Sequence, residues 1–257
     1  MNIFLYDNTF EGLLSAVFYA YDTKIYPDRI TGNHLVQEDL FAEKYTIYTN
    51  PEYAKRVWKG LEKKASKQIC QKIYRVFLSE IENVEMLIFK YIDLTFKSTG
   101  IIDTNYGNDV VLEFNNIFKK VTREAHRAVM FIRFQKTSDG IYYAPFDPEY
   151  NVLPLTINHL KDRFSDQQWV IFDTRRHYGF YYNEDRVDEI RISNSNVNPF
   201  TGKIKKEIMD ENELDFQELW NDYYQSTTIQ ERKNLKVHMQ FLPKRFWKYL
   251  PEKNFIV

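Results

Sequence analysis

The sequence predicts an α+β fold: a helix-rich N-terminal half that opens with a short strand and helix, then a C-terminal half of mostly antiparallel sheet with packed helices. Three observations predict it. Apolar residues recur at helical spacing through residues 10–21 and through 51–98. Beyond residue 127 the period shifts to alternation, and the run WVIFD at 169–173 is continuously apolar, as a strand covered on both faces must be. The parts divide at residues 1–105 and 106–257 and are expected to form one compact unit.

NIFLY at 2–6 reads as the opening strand. Asn8 with Glu11 three residues on resembles a capping box, and Phe10, Leu13, Leu14, Val17, Phe18 and Tyr21 then recur on one helical face. Residues 26–40, with Pro27 and Gly32, read as loop, and KYTIYT at 44–49 as a second strand. Three helices follow at about 51–64, 66–80 and 82–98. After a break at 100–107, Val110, Phe114, Ile117, Phe118, Val121 and Ala125 mark a long amphipathic helix. Ala128, Met130, Ile132 and Phe134 then alternate with Arg127, Val129, Phe131 and Arg133, which predicts a strand. Ser138-Asp139-Gly140 turns into the partner strand IYYAPF. Pro154 starts a helix to about Phe164, WVIFD is the central strand, and RRHYGFYY with RVDEIRI forms a further strand pair. Residues 194–206 read as loop, 207–218 as an acidic stretch, 216–224 as an amphipathic helix, and Thr228 with Glu231 as the cap of a short final helix.

Composition narrows the function classes. Forty-four per cent hydrophobic residues support a packed core, and 19 Tyr with 20 Phe exceed what a core alone requires, so some rings are expected at a surface. A net charge of −1 and a pI near 6.5 exclude an indiscriminate, histone-like polyanion binder; any nucleic-acid site must be a local patch. The single cysteine, Cys70, excludes internal disulfides, cysteine-based zinc sites and an iron–sulfur cluster held by this chain alone, and points to a reducing compartment. No basic region precedes the first apolar stretch, which Asp7 and Glu11 interrupt, so it does not read as a signal peptide, and no run approaches a membrane span. A cytoplasmic protein with no membrane partner is the expectation.

Several chemistries are missing from the pattern. The eight glycines form neither a dinucleotide fingerprint nor a P-loop, and the histidines at 34, 126, 159, 177 and 238 fall in no HExxH or deaminase motif. No metal site and no cofactor are predicted.

Four constellations remain. From Tyr53 to Arg75 eight Lys/Arg face Glu62 alone, and Lys55, Lys59 and Lys63 stack along one helix face; the stripe is either solvated or phosphate-facing. Lys119 to Lys136 carries six Lys/Arg and one Glu, and on a strand Arg127 and Arg133 would share a face about 20 Å apart. Guanidinium suits phosphate because its planar fork donates two hydrogen bonds at once, unless Glu124, Asp139 or Asp173 claims it. His126 is either a hydrogen-bonded histidine at a helix end or a proton-transfer group or phosphate contact. In the third constellation His159 and Arg163 share a helix face, Asp173 ends the buried strand before Arg175, Arg176 and His177, and Arg176, Tyr178, Phe180 and Tyr182 alternate onto one side. That mix suits bases and phosphates, or else forms a core-facing aromatic strand with an Asp–Arg pair. The fourth, RKNLKVHMQFLPKRFWK, holds six basic residues and no acid; it either packs as a docked tail, complements the acidic 207–218 stretch of the same chain, or contacts an anionic partner.

YDNTFEGLLSAVFYAY, FLSEIE, TREAHRAVMFIRF, YNVLPL, HLKDRF, WVIFDTRRHYGFYY and ERKN with LPKRFWKYLPE, in this order across nearly the whole chain, resemble a bacterial family of DNA-metabolism or DNA-repair proteins whose domain is otherwise of unknown function. Asn8 stands where the family pattern has glycine and Leu242 where it has methionine. The resemblance implies a protein encoded beside a radical-SAM protein, and in some members fused to a uracil-DNA glycosylase domain; it carries no catalytic residue across. It implies DNA as partner, with the radical-SAM protein holding the iron–sulfur chemistry. The phosphate contacts expected here are Arg127, Arg133, Arg163, Arg175, Arg176 and Arg245, with Tyr182 and Trp247 as stacking rings. The acid–base candidates are His126 with Glu124 or Asp173; a rival enzyme would bring Asp173, His126 and His159 into one pocket, and an adaptor would need neither.

Overall fold

The computed structural model describes residues 1–32, 42–100, 102–192, 197–198 and 202–254, the side chain of residue 254 excepted. His34 and parts of the predicted loops at 26–40, 100–107 and 194–206 lie outside the described residues. The architecture is α+β, and the chain forms two compact units, Met1–Thr122 and Arg123–Val257.

In the first unit, β1 (Asn2–Tyr6) is flanked by β2 (Arg29–Gly32) and β3 (Glu43–Thr46), both parallel to it. β2 lies in the stretch that reads as loop: its four residues sit between Pro27 and the end of the strand at Gly32, and only the ladder to β1, through Phe4↔Ile30, makes them a strand. α1 (Phe10–Thr23) follows β1, but its cap is Thr9 rather than Asn8. Thr9 Oγ1 accepts from Gly12 N at 2.9 Å, while Asn8 takes the left-handed conformation at φ 62° that turns the chain into the helix. α1 buries Leu13, Leu14, Ala16, Val17 and Ala20.

The next helices are α2 (Pro51–Lys64), α3 (Lys67–Phe77) and α4 (Val84–Lys97). Asn50 caps α2 with Pro51 in its first turn, and Ser66 caps α3 through Ile69 N. α2 buries Ala54, Val57 and Leu61, leaving Lys55, Lys59 and Lys63 exposed. α5 (Asp109–Phe131) begins in this unit, where Phe114 stacks on Tyr91 with ring centres 3.7 Å apart.

The strand predicted over residues 127–134 is helical as far as Phe131, where α5 ends, and residues 132–134 belong to no element. The buried positions Val121, Ala125, Ala128 and Ile132 keep three- and four-residue steps, and that period overrides the local alternation. Strand structure resumes only at β4 (Gln135–Lys136), antiparallel to β5 (Tyr142–Phe146). A 3-10 turn at Leu153–Leu155 leads into α6 (Ile157–Arg163), then come β6 (Trp169–Asp173), β7 (Tyr178–Tyr182) and β8 (Val187–Ile190). The sheet order is β4-β5-β6-β7-β8; β5 and β6 pair in parallel and every other pair is antiparallel. β6 is central and all five of its residues are buried, as its apolar run requires.

One face of this sheet holds Phe146, Trp169, Ile171 and Tyr182; the other packs Tyr143, Val170 and Phe172 with Tyr181, Ile190 and Ile204. α7 (Glu213–Thr227) follows, and the predicted Thr228–Glu231 cap is replaced. Thr228 Oγ1 donates back to Tyr224 O at 2.6 Å, a 3-10 turn spans Gln230–Arg232, and Asn234 caps α8 (Leu235–Phe241) through Val237 N. Two short helices close the unit, α9 (Lys244–Trp247) and α10 (Pro251–Asn254). Among the described residues no helix is long and apolar enough to cross a membrane.

Candidate nucleic-acid interface

β5 and β6 are parallel neighbours, so their carboxyl ends emerge side by side: Phe146 pairs with Asp173, and the loop Asp147-Pro148-Glu149 leaves next to the turn Thr174–His177. The end of a parallel strand pair is where an open sheet presents loops to a ligand. Four of the six arginines expected at phosphate gather here, from three segments distant in sequence.

Asp173 is fully buried and accepts from Arg175 N at 2.8 Å, Arg176 N at 3.0 Å and Arg176 Nη1 at 3.0 Å. Burial pushes its carboxyl above the ordinary value despite the Arg176 guanidinium and these N–H donors, which pull the other way. Arg176 also donates to the carbonyls of Pro148 and Glu149. Arg175, its side chain 48% exposed, meets Asp147 through Nε at 3.2 Å and Glu149 O at 3.4 Å. Lys248 of the segment after α9 reaches the other oxygen of Asp147 at 3.1 Å.

Glu124, near the end of α5, is the second buried carboxylate. Arg245 Nη2 lies 2.7 and 2.6 Å from its two oxygens, Glu149 N donates to it at 2.9 Å, and Arg127 Nη1 stands 3.6 Å away. Arg127 Nη2 also donates to Gln240 O at 3.1 Å. Arg245 lies over the Phe246 ring at 4.5 Å, and its buried Nε has no hydrogen-bond partner among the described residues. The cluster therefore interleaves Arg127, Arg175, Arg176, Arg245 and Lys248 with Glu124, Asp147, Glu149 and Asp173. It is a ridge of arginines braced from beneath, not the open cationic wall that the spacing suggests.

The other expected residues lie elsewhere in this unit. Arg133 follows the end of α5 rather than sharing a strand face with Arg127; it pairs with Glu252 at 3.1 Å and lies 5.9 Å from the Trp220 ring. Arg163 is exposed beside Phe164 and, with His159, lines a separate groove of about 900 Å³ with Phe216 and Trp220. Tyr182 is 2% exposed, packs against Trp169 and donates to the carbonyls of Ser165 and Glu184, so its ring has no free face for a base. Trp247 is half-buried, donates to Leu242 O, and contacts His238 edge-on. Burial, helped by Lys253, holds His238 below the usual histidine range.

The acid–base set is not assembled. His126 and His159 are exposed, and neither forms a hydrogen bond or ion pair with Glu124 or Asp173. Among the described residues no group of three His, Cys, Asp or Glu is placed to hold a metal. Sequence reasoning missed Asp147, Glu149 and Lys248. The signal for Asp147 was present: it closes the strand YYAPF just as Asp173 closes WVIFD.

The chain matches DUF4130, a domain of unknown function, over residues 82–252, more than half of its length. The chain belongs to this family. The DUF4130 match takes in α4, α5, the whole five-stranded sheet and the tail as far as Glu252, so every residue of the ridge lies within it. No curated protein matches the chain.

Proposed function

We propose that the chain is a nucleic-acid-binding protein of DNA metabolism or DNA repair that grips the phosphate backbone through the arginine ridge and works with a radical-SAM protein. The observation that carries the reading is the convergence of Arg175, Arg176, Arg245 and Lys248 on loop 147–149, with Arg127 held beside them by Glu124. A guanidinium has five N–H donors in one plane; contacts with Glu124 and Asp173 fix the planes of Arg245 and Arg176, and the half-exposed Arg175 beside them is the one open to solvent. A carboxylate that holds an arginine in place lowers the entropy lost when phosphate arrives, although it also offsets part of the positive field. The DNA context and the radical-SAM partner rest on the resemblance of the motifs above. An acid–base enzyme built on Asp173 and the histidines has less support, because Asp173 is occupied by three donors and the histidines stand apart.

The test is binding of labelled single- and double-stranded oligonucleotides by fluorescence anisotropy between about 50 and 200 mM salt. The expected result is an affinity that falls steadily with salt, since each phosphate contact releases counterions. Absence of binding at the lowest salt overturns the reading, and binding only with the partner present makes the chain an adaptor.

A further inference from the structure

α7 is turned inside out. Its face toward the unit carries Glu213, Gln217, Asn221 and Tyr224: Glu213 is buried, accepting from Lys136 N at 2.9 Å and Gln217 Nε2 at 2.8 Å. Its apolar stripe stays largely exposed, with Phe216 64%, Leu219 64%, Trp220 40% and Tyr223 59%, although Trp220 is tied back by its Nε1, which donates to Glu252 at 2.9 Å. At 100° per residue these four fall within an arc of about 100°, and Asp215, Glu218 and Asp222 lie along one flank of it. A surface helix that buries its polar side and shows its rings marks an interaction face.

The segment that follows has the complementary character. Ile229, Leu235, Val237 and Phe241 are 51%, 70%, 45% and 66% exposed, and Arg232, Lys233 and Lys236 stand exposed among them. No basic residue occurs from Glu207 to Glu231, and from Arg232 to Lys248 no acidic one. The chain thus carries an acidic apolar face and a basic apolar face on consecutive elements of one unit.

We infer that a second copy of this chain is the occupant: α7 of one copy docks on the 229–241 segment of the other, and the reciprocal contact closes a two-fold dimer. Opposite charge on the two faces makes the surface self-complementary, which is what a two-fold interface demands. Eight large side chains, each offering on the order of 100 Å², present roughly 800 Å² per copy, the area a stable partner covers.

Sedimentation equilibrium of the full chain tests this. The expected mass is twice that of the 31.1 kDa chain. Asp215→Lys/Glu218→Lys/Asp222→Lys and Arg232→Glu/Lys233→Glu/Lys236→Glu should each weaken self-association by about 100-fold with unchanged circular dichroism, because like charges then face each other. Mixing the two variants should restore a species of doubled mass, since each now complements the other at both contacts. A wild-type chain that stays monomeric at all concentrations overturns the proposal, as does failure of the mixed variants to associate. Monomeric chain whose α7 stripe is protected by some other protein likewise overturns it, in favour of that partner.

Discussion

Glu124 is 2% exposed, yet both of its oxygens hold Arg245 and one also takes the Glu149 N–H. Charge at such a site persists only when every lone pair has a donor, and here three chain segments supply them. Glu124→Ala would leave the Arg245 guanidinium beside an empty space with its Nε already unpartnered among the described residues, and would strip Glu149 N of its acceptor. A loss of about 3–5 kcal/mol is expected in urea denaturation, with Arg127→Ala costing far less because its ion pair is longer. Asp7 supplies a different residue-scale prediction. Burial would raise its carboxyl, but hydrogen bonds from Thr49 Oγ1 at 2.6 Å and from Thr9 Oγ1 and N outweigh it and hold Asp7 below its ordinary value of 3.8. A carboxyl lowered in the folded state stabilises above its unfolded value, and that stability is lost as pH falls through the folded one. Asp7→Asn should therefore be less stable than wild type at neutral pH, and the gap should close below about pH 4, read from thermal midpoints across a pH series.

At the scale of the element, β6 and β7 approach so closely that the Phe172↔Gly179 register has room only for hydrogen. A Cβ at Gly179 would run into the Ile171 carbonyl, which is fixed in the fully buried central strand. Gly179→Ala should lower stability by about 1–3 kcal/mol, a strain that chemical denaturation detects, whereas Gly100→Ala, with nothing near its Cβ among the described residues, should not. What could be read in advance follows the same logic of local against distant causes. α1 to α4 and β5 to β8 were legible because each announces itself in its own periodicity and ends in its own turn or cap. β2 was not, since Arg29–Gly32 becomes a strand only by pairing with β1, some twenty-six residues earlier. The end of α5 misleads because Ala128, Met130, Ile132 and Phe134 alternate with Arg127 and Arg133 as a strand would; burial of Ala128 and Ile132 on the face of Val121 decides for helix. The start of α1 went to Thr9 because Asn8 is the better left-handed residue, a competition between two good caps that spacing alone does not resolve.

For the whole molecule, the sequence named arginines but could show neither which of them gather nor which partners they meet. Glu124 and Arg245 are separated by 121 residues, and Arg175 and Asp147 by 28, so only the fold reveals that each guanidinium meets a carboxylate. This shapes what the proposed nucleic-acid binding would look like. With a net charge of −1 there is no long-range field to steer a polyanion, and within the ridge four carboxylates offset much of the charge of five cations. Binding should therefore engage few phosphates, giving a shallow dependence of log Kd on log salt, with a slope of about 2–4 rather than the 6–10 of strongly basic proteins. Arg175 is the ridge arginine whose removal best isolates binding from folding: it is half-exposed, and its partners Asp147 and Glu149 O keep Lys248 and Arg176 as donors. Arg175→Ala should reduce that slope by about 1 and weaken binding alike for every sequence, while denaturation midpoints stay unchanged. Arg245→Ala should instead lose stability first, because it uncovers Glu124. An Arg175→Ala protein that binds oligonucleotide with an unaltered salt slope would take the ridge out of the contact and leave its arginines as braces of the fold alone.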